Sequence, residues 1–295
     1  MLRKSEIIDF LDKINCEYLQ DELLSKHTTF KIGGKTDFFV SVFDEESLSK
    51  LVAFLNDKQI PMYIFGNGSN LLVSDKGLTG VCIKYCNDNI YIDKEDKTKI
   101  ICNSGASLAK LCKFALNKSL SGLEFAWGIP GTVGGALYMN AGAYDGQMKD
   151  VVVRSRHCKK DGKIESFDKD ELKLAYRSSV YSCYDYVITS VEFKLKNGNE
   201  SDIRAKMDEL MKRRVSKQPV DLPSAGSVFK RPEGYFAGKL IQDCGLKGKQ
   251  IGGARVSNKH CGFIVNEENA SCEDVKNLIS LIKKEVKEKE GVELQ

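Results

Sequence analysis

The chain has 295 residues, 42% hydrophobic and 29% charged, with a formal net charge of +4 at pH 7. This length favours two domains, or three small ones, and the composition excludes disordered, collagen-like and coiled-coil proteins. The charge is too small and too evenly spread for a nucleic-acid-binding protein, but it suits anionic small ligands. A cytosolic protein without a membrane span or signal sequence is expected.

The first elements follow an α/β pattern. Residues 5–14 predict a short helix, and Asp37 to Val42 predicts a strand. Asp44 is a typical N-cap for a second helix. The apolar face of that helix carries Leu48, Leu51, Val52 and Leu55. Residues 62–65 predict another strand, so this part of the chain reads as a βαβ unit.

A glycine loop, Gly66-Asn67-Gly68-Ser69-Asn70, follows that strand, and the apolar run Leu71-Leu72-Val73 predicts a further strand after it. Glycines let backbone N–H groups approach an anion closely, and Ser69 and Asn70 add side-chain donors. The pattern is neither a Rossmann fingerprint nor a Walker loop. A tight turn and a phosphate site therefore both remain open.

The middle of the chain alternates again between strands and a helix. Residues 81–85 and 98–103 predict strands, and Ser107 predicts the start of a helix. That helix carries Leu108, Leu111, Cys112 and Ala115. Residues 150–173 predict a hairpin that turns at Asp161-Gly162, and residues 186–195 predict another strand.

A second glycine-rich stretch runs from Trp127 to Gly146 and includes Gly128 to Ala136 and Asn140 to Tyr144. Such a stretch could simply pack tightly against another element. A packing seam does not require Thr132 and Asn140, however. Two glycine loops in one α/β chain suggest a large phosphate-bearing cofactor held mainly by backbone groups, and a flavin dinucleotide fits that description.

The C-terminal part begins after a charge-rich helix, about residues 200–216, which ends before Pro219. Residues 223–234 predict a loop, residues 235–244 a helix and residues 262–266 a strand. Ser271 and Asp274 form a capping box at the start of the last helix. Its apolar face carries Val275, Leu278, Ile279, Ile282 and Val286.

These features resemble the UDP-N-acetylenolpyruvoylglucosamine reductase (MurB) family. Besides the two loops, the matching motifs occur in the family's order from about residue 25 to 294. They are His27-Thr28-Thr29-Phe30-Lys31-Ile32-Gly33-Gly34, Tyr176-Arg177-Ser178-Ser179, Arg213-Arg214, Gln218-Pro219, Ala225-Gly226-Ser227-Val228-Phe229-Lys230-Arg231-Pro232, Leu240-Ile241 to Gly248, and Lys259-His260 to Asn266. The short chain resembles the Gram-positive-type branch, which lacks an extra substrate loop.

The resemblance implies a mixed α/β and α+β architecture with a vanillyl-alcohol-oxidase-type FAD-binding fold. Residues 1–86 and 87–200 would be its two FAD-binding subdomains, and residues 201–295 an α+β substrate-binding domain. It also implies non-covalent FAD, NADPH as hydride donor and UDP-N-acetylglucosamine enolpyruvate as the small-molecule substrate. The product, UDP-N-acetylmuramate, would serve peptidoglycan synthesis and hence cell-wall biogenesis, cell shape and division.

The resemblance also implies roles for individual residues. Ser227 matches the family's proton donor, and Arg177 matches the arginine that polarises the substrate carboxylate. Substrate contacts are expected from Tyr176, Arg214, Lys230 and Arg231, although Tyr176 could merely pack and Arg214 could belong to a charged helix surface. The expected FAD contacts are Gly66, Asn67, Gly68, Ser69, Asn70, Gly131, Thr132, Gly134, Gly135, Asn140 and Gly142.

One family residue has no counterpart. The family has a catalytic glutamate shortly after a Gly-Val-x-Leu motif, which here is Gly291-Val292-Glu293-Leu294. The expected position would fall about two residues after Leu294, beyond Gln295, and Glu293 does not occupy it. Either the sequence is truncated or the enzyme lacks this residue, and truncation is the expectation because the closing strand typical of the family is missing too. The chain, as it stands, is expected to bind FAD but to be catalytically weak.

Two other functions remain open from the sequence. One is a different oxidoreductase of the same FAD fold, such as a sugar-lactone or hydroxy-acid oxidase. The other is a flavin- or nucleotide-binding protein without catalysis, in which Ser227 and Arg177 would be structural. No metal site is predicted, because the ten cysteines include no CxxC pair and there are only three histidines.

Overall fold

The computed structural model describes residues 4–295. By packing, the chain divides into two compact units. The first contains the residues up to Asp21 together with Asp37–Gly66 and Thr79–Met211, and the second contains Glu22–Thr36, Asn67–Leu78 and Lys212–Gln295. The second unit is therefore assembled from three separate stretches of chain.

The first unit holds two larger sheets and two hydrophobic cores. Its helices are α1 Lys4–Lys13, α2 Glu45–Asp57, α3 Leu108–Asn117, α4 Val133–Tyr138, α5 Met148–Val151 and α6 Glu200–Lys217. Its strands are β1 Glu17–Leu23, β2 Lys35–Val42, β3 Met62–Phe65, β4 Leu78–Tyr85, β5 Ile90–Ile92, β6 Lys99–Asn103, β7 Leu120–Ser121, β8 Gly142–Ala143, β9 Gly146–Gln147, β10 Val152–Cys158, β11 Ile164–Asp168, β12 Val187–Lys194 and β13 Lys196–Asn197. One end each of β1, β2, β4 and α6 continues into the second unit.

The N-terminal sheet has the strand order β1-β2-β4-β3, and β3 runs parallel to β4. Helix α2 follows Asp44, whose carboxylate accepts a hydrogen bond from the N–H of Ser47 at 2.8 Å. Its four predicted apolar residues are all fully buried, and each contributes about 2 kcal/mol by leaving water. The predicted strand–helix–strand order is confirmed, but β4 lies between the two strands that α2 connects.

The second sheet is antiparallel, with the order β11-β10-β12-β6-β5. The predicted hairpin is β10 and β11, and its turn closes with a hydrogen bond from the N–H of Gly162 to the carbonyl of Lys159 at 2.9 Å. Ser107 caps α3 by accepting from the N–H of Lys110 at 3.1 Å, as predicted. This core includes the buried side chains of α3 and α4.

An aromatic cluster covers one part of this sheet around the fully buried His157. The imidazole lies between the rings of Phe167 and Tyr186, whose centroids are 4.4 and 4.9 Å away. Its Nδ1 is 3.1 Å from the hydroxyl of Tyr181, which also contacts the hydroxyl of Ser155 at 2.5 Å. Nε2 of His157 has no hydrogen-bond partner within residues 4–295. The ring is therefore held in a site that favours the neutral imidazole.

The second unit has one sheet, in the order β14-β17-β16-β15, with two helices and a core of its own. Its elements are β14 Ser224–Ser227, α7 Ala237–Asp243, β15 Gln250–Ile251, β16 Ala254–Val256, β17 Phe263–Asn266 and α8 Cys272–Glu290. The predicted capping box of α8 is present, with reciprocal bonds between Ser271 and Asp274. Four of the five predicted apolar residues of α8 are buried, and Ile279 is partly buried.

Two sequence predictions were wrong. Residues 71–73 are not a strand, because Leu72 packs against the core of the second unit and Val73 approaches Gly33, so burial rather than strand pairing explains their apolar character. Residues 223–234 are not entirely a loop, because β14 forms by pairing with β17. The pairing partner is distant in sequence and overrides the local proline and glycine signals.

The predicted FAD-binding subdomains, residues 1–86 and 87–200, and the predicted substrate-binding domain, residues 201–295, stay predictions. The two compact units are defined by packing and not by a bound ligand. No helix within residues 4–295 is both long and apolar enough to cross a membrane.

The burial of His157 predicts a pH-dependent stability. Burial lowers the pKa of His157, so the unfolded chain binds this proton more readily than the folded chain. The neutral His157 thus contributes fully to the free energy of unfolding at pH values above the pKa that it has in the unfolded chain. This contribution is lost as the pH falls below that value. His157→Phe keeps the ring stacking and cannot titrate. From about pH 7.5 to about pH 5.5, the urea midpoint should fall less in the variant than in the wild type.

Glu165, Lys159 and Glu171 also influence this histidine, and they remain unchanged in His157→Phe. Between about pH 7.5 and about pH 8.5, where histidine is neutral in both states, the two proteins should respond alike. An equal loss of stability in both proteins on acidification would contradict the assignment.

Candidate active site

The first glycine loop begins at the end of β3. A Cβ placed on Gly66 would lie 2.5 Å from Oγ1 of Thr132, so this glycine allows the second glycine-rich stretch to pack against the strand end. Gly68 has a φ of 60°, and a Cβ there would lie 2.1 Å from the carbonyl oxygen of His27. Only glycine combines that backbone conformation with such a close approach.

The rest of this loop presents open donors. Asn67, Ser69 and Asn70 make no hydrogen bond to any residue in the described part of the chain. Asn67 and Asn70 are exposed, and Ser69 is half-buried. Successive unpaired N–H groups beside a left-handed glycine form an anion-binding concavity. The open groups suit an anion, and the phosphate site stays a prediction beside the tight turn.

The second glycine stretch has its polar groups already paired. The N–H of Gly134 donates to the carbonyl of Ser104 at 2.9 Å, and the N–H of Gly135 donates to Oγ1 of Thr132 at 3.2 Å. Thr132 is buried and caps α4. The N–H of Gly131 donates to Ile129 at 2.9 Å. This loop therefore provides small side chains and a fixed backbone surface rather than a set of open N–H groups.

The end of that stretch holds a tight corner of the chain. Asn140 is 1% exposed, and its amide donates to the carbonyl of Ala175 at 2.9 Å and to Gln147 at 3.0 Å, while its oxygen accepts from Lys149 at 2.9 Å. The amide of Asn140 is thus fully used within the first unit. Ala175 and Ser178 exchange backbone hydrogen bonds and hold Tyr176 and Arg177 at the corner.

Arg177 occupies the left-handed region, with a φ of 53°. Such a conformation is uncommon for a large residue and indicates a constrained position. Its Nη2 donates to the carbonyl of Gly142 at 3.3 Å, and its Cζ lies 5.4 Å from the ring centroid of Tyr176. The structure thus brings together Arg177, Tyr176 and Gly142 of the predicted site residues.

Ser227 ends β14, where the strand pairing is irregular. The register with β17 shifts between Ser224 and Ser227, and Gly226 there has a φ of 82° with open space on its side-chain side. Ser227 is an exposed residue, and its hydroxyl donates to the carbonyl of Gly262 at 3.4 Å in a partly buried place. This bond is long and therefore weak. The hydroxyl can exchange it for a ligand at small cost.

The cations predicted to bind substrate differ in their surroundings. Arg214 is 8% exposed at the C-terminal end of α6, and its Nη1 donates to Gln218 at 3.0 Å. Lys230 is exposed, and its backbone N–H donates to the carbonyl of Gln295 at 2.8 Å. Arg231 lies over the ring of Phe236, with Cζ 3.9 Å from the centroid. Of these three, Lys230 is thus the one whose side chain makes no hydrogen bond, ion pair or ring contact among residues 4–295.

The sequence reasoning gave no role to His260, which the structure brings next to Ser227. Nδ1 of His260 accepts from the N–H of Gly262 at 3.0 Å, and the carbonyl of Gly262 accepts from Ser227. Burial lowers the pKa of His260, which favours the neutral ring that can accept this bond. The Lys259-His260 motif was the only sequence signal for it.

The close approach at Gly68 predicts a severe effect of an added methyl group. Gly68→Ala should lower the melting temperature by clearly more than Gly245→Ala, because Gly245 has a similar φ of 76° but open space at its Cβ. The control carries only the left-handed strain of about 1 kcal/mol, or roughly 3 °C. Equal melting temperatures for the two variants, measured by calorimetry, would show that the contact with His27 is not constraining.

Comparisons with known proteins agree with this geometry. A family model described as the C-terminal domain of UDP-N-acetylenolpyruvoylglucosamine reductase matches residues 218–295, and a model described as an FAD binding domain matches residues 36–168. Among solved structures, that of UDP-N-acetylenolpyruvylglucosamine reductase (MurB) from Thermus caldophilus is 33% identical and has a TM-score of 0.79, covering 95% of this chain and 97% of that chain. A variant of Phl p 4, a glucose oxidase, is 15% identical with a TM-score of 0.52, covers 76% of this chain and 53% of that chain, and supports the fold alone.

Curated relatives extend over nearly the whole chain. The UDP-N-acetylenolpyruvoylglucosamine reductase of Clostridium botulinum (strain 657 / Type Ba4) is 46% identical over 292 residues, which are 99% of this chain and 95% of the relative. That of Caldanaerobacter subterraneus subsp. tengcongensis is 49% identical over 275 residues, 93% of this chain and 90% of the relative. The predicted fold class and the predicted resemblance are both confirmed. The chain therefore belongs to the UDP-N-acetylenolpyruvoylglucosamine reductase family of FAD-dependent oxidoreductases.

Proposed function

We propose that this chain uses FAD and NADPH to reduce UDP-N-acetylglucosamine enolpyruvate to UDP-N-acetylmuramate, a step of peptidoglycan precursor synthesis. The observation that carries this proposal is the near-complete coverage of both this chain and relatives named for that reductase activity. A cytoplasmic location, and roles in cell-wall biogenesis, cell shape and division, follow from the same proposal.

The two glycine loops suit a non-covalently held flavin dinucleotide. Asn67, Ser69 and Asn70 leave their hydrogen-bonding groups open within the described chain, as a pyrophosphate requires. Gly66 and Gly68 keep that segment close to the surrounding backbone. In the second stretch, the small residues Gly131, Thr132, Gly134, Gly135, Asn140 and Gly142 would provide a surface for the cofactor, with Thr132 and Asn140 shaping it through their internal bonds.

The chemistry requires a hydride at the terminal carbon of the enol ether and a proton at the neighbouring carbon. That hydride would come from bound FAD once NADPH has reduced it. Arg177 is proposed to bind the substrate carboxylate, on which negative charge develops after hydride addition. Its left-handed backbone and its contacts with Gly142 and Tyr176 restrict the guanidinium to few orientations, which is the pre-organisation that such a role needs.

Ser227 is proposed to give the proton to the neighbouring carbon and to recover one from solvent afterwards. Its exposure and its weak bond to Gly262 leave the hydroxyl available for this transfer. Serine is a poor acid by itself, so the developing negative charge on the substrate must drive the transfer. Lys230, Arg231, Arg214 and Tyr176 are proposed to contact the anionic or ring portions of the substrate or NADPH.

An anaerobic spectrum tests the proposed reaction. Flavin absorbance of the purified protein should bleach with NADPH and return when UDP-N-acetylglucosamine enolpyruvate is added. Bleaching without return would keep the flavin protein and point to a different acceptor or to the missing glutamate expected after Leu294. A protein that stays colourless after incubation with added FAD would reject the proposal at its base.

The role of Ser227 gives a second prediction. Ser227→Ala should lower turnover about 10²- to 10⁴-fold, the range expected for loss of a proton donor. FAD content and flavin reduction by NADPH should persist, because only the proton transfer is lost. Ser280→Ala, on the exposed face of α8, serves as the control and should turn over like the wild type. Rapid flavin reoxidation by the enolpyruvyl sugar in Ser227→Ala would remove this assignment.

A further inference from the structure

The motif His27-Thr28-Thr29-Phe30 has no part in the function proposed above. It lies in the second unit, which also contains the open loop residues Asn67–Asn70 and strand β14 with Ser227. Phe30 is 1% exposed in the core of this unit, and the hydroxyl of Thr28 donates to the carbonyl of Ile32 at 3.1 Å. The segment is therefore fixed locally and by burial.

On one side, this segment holds the glycine loop. The N–H of Thr29 donates to the carbonyl of Gly68 at 3.2 Å. A Cβ on Gly68 would lie 2.1 Å from the carbonyl oxygen of His27 and 2.8 Å from Cα of Thr28. The glycine loop is thus in direct backbone contact with residues 27–29. Because the two segments are closely packed, a shift of the loop requires a shift of residues 27–29 as well.

On the other side, Thr29 is also hydrogen-bonded to β14. The hydroxyl of Thr29 donates to the carbonyl of Ser224 at 2.7 Å, a short bond in a partly buried place. β14 is at the edge of its sheet, and its register with β17 shifts between Ser224 and Ser227. Because the ladder specifies the position of this strand poorly, a side-chain bond from outside the sheet carries more of the restraint.

The neighbouring strand supports the same segment. Asn266 of β17 is 8% exposed, and its amide donates to the carbonyl of Phe30 at 3.0 Å while its oxygen accepts from the N–H of Ala270 at 2.8 Å. The backbone N–H of Asn266 donates to the carbonyl of Pro223, just before β14, at 2.9 Å. Residues 29 and 30 are therefore attached to both strands, and only the bond to β14 comes from a side chain of the segment.

We propose that Thr29 is a positioning residue that ties the glycine loop Asn67–Asn70 to the strand that carries Ser227. The inference rests on the proposed function, in which the loop binds FAD phosphates and Ser227 gives the proton. One residue bonds both: its backbone N–H to the loop and its hydroxyl to the strand. Thr29 thereby sets where the Ser227 hydroxyl stands relative to the cofactor loop.

The central variant is Thr29→Val, which keeps the size and branching of the side chain and removes only the hydroxyl. Thr29→Ser restores the hydroxyl and serves as the rescue. Thr28→Val makes the same chemical change one position earlier, where the hydroxyl donates to the nearby carbonyl of Ile32 and not to the loop or to β14. If Thr29→Val does not fold, Thr29→Cys takes its place, since a thiol is a weak donor of similar size.

Two kinetic readouts separate positioning from general structure. Flavin reduction by NADPH should stay within about twofold of the wild type in all variants. Reoxidation by the enolpyruvyl sugar should fall about fivefold or more in Thr29→Val, as expected for loss of one hydrogen bond that restrains the donor. It should recover in Thr29→Ser and remain near the wild-type rate in Thr28→Val. Equal reoxidation in Thr29→Val and Thr29→Ser, or an equal loss in Thr28→Val, would overturn the proposal.

Amide hydrogen exchange of the FAD-free chains gives a readout independent of catalysis. Thr29→Val should speed exchange in peptides covering residues 66–73 and 223–229 together, and Thr28→Val should not. Unchanged exchange in either peptide would overturn the proposed link. If the wild type is not reoxidised by the enolpyruvyl sugar, that failure concerns the proposed function of this chain, and the exchange result still decides whether Thr29 joins the two segments.

Discussion

The close backbone approach of Gly68 to residues 27 and 28 is the constraint on which the rest of the second unit depends. It leaves no room for a side chain, and it places the carbonyl of Gly68 within reach of the N–H of Thr29. From there, bonds from Thr29 and to Phe30 reach β14 and β17. The loop with open donors and the strand with Ser227 are thus two ends of one hydrogen-bonded arrangement.

Local chemistry explains which elements the sequence could predict. Helices α2, α3 and α8 were found because Asp44, Ser107 and Ser271 are strong N-caps that precede a clear apolar face. Strand β14 was missed because its pairing with β17 spans some forty residues and overrides local turn signals. Residues 71–73 were misassigned because burial in a core and burial in a sheet leave the same apolar pattern.

The candidate site was predictable as a set of residue types and not as a set of bonds. Both glycine loops look alike in sequence. The hydrogen-bonding groups of Asn67, Ser69 and Asn70 are nevertheless unpaired among the described residues. In the second loop, the N–H groups of Gly134 and Gly135 donate to Ser104 and Thr132. No pattern within either loop contains this difference, because the acceptors are elsewhere in the chain. His260 and Thr29 escaped notice for the same reason.

The three-part origin of the second unit has a consequence for synthesis on the ribosome. Phe30 emerges early, but its carbonyl is bonded by Asn266, which follows 236 residues later. The segments 22–36 and 67–78 therefore stay incomplete, with apolar side chains such as Ile32 and Leu72 uncovered, until residues 212–295 have been translated. The second unit consequently cannot close before its last stretch has been synthesised, and the uncovered apolar segments of the nascent chain are open to aggregation during that interval.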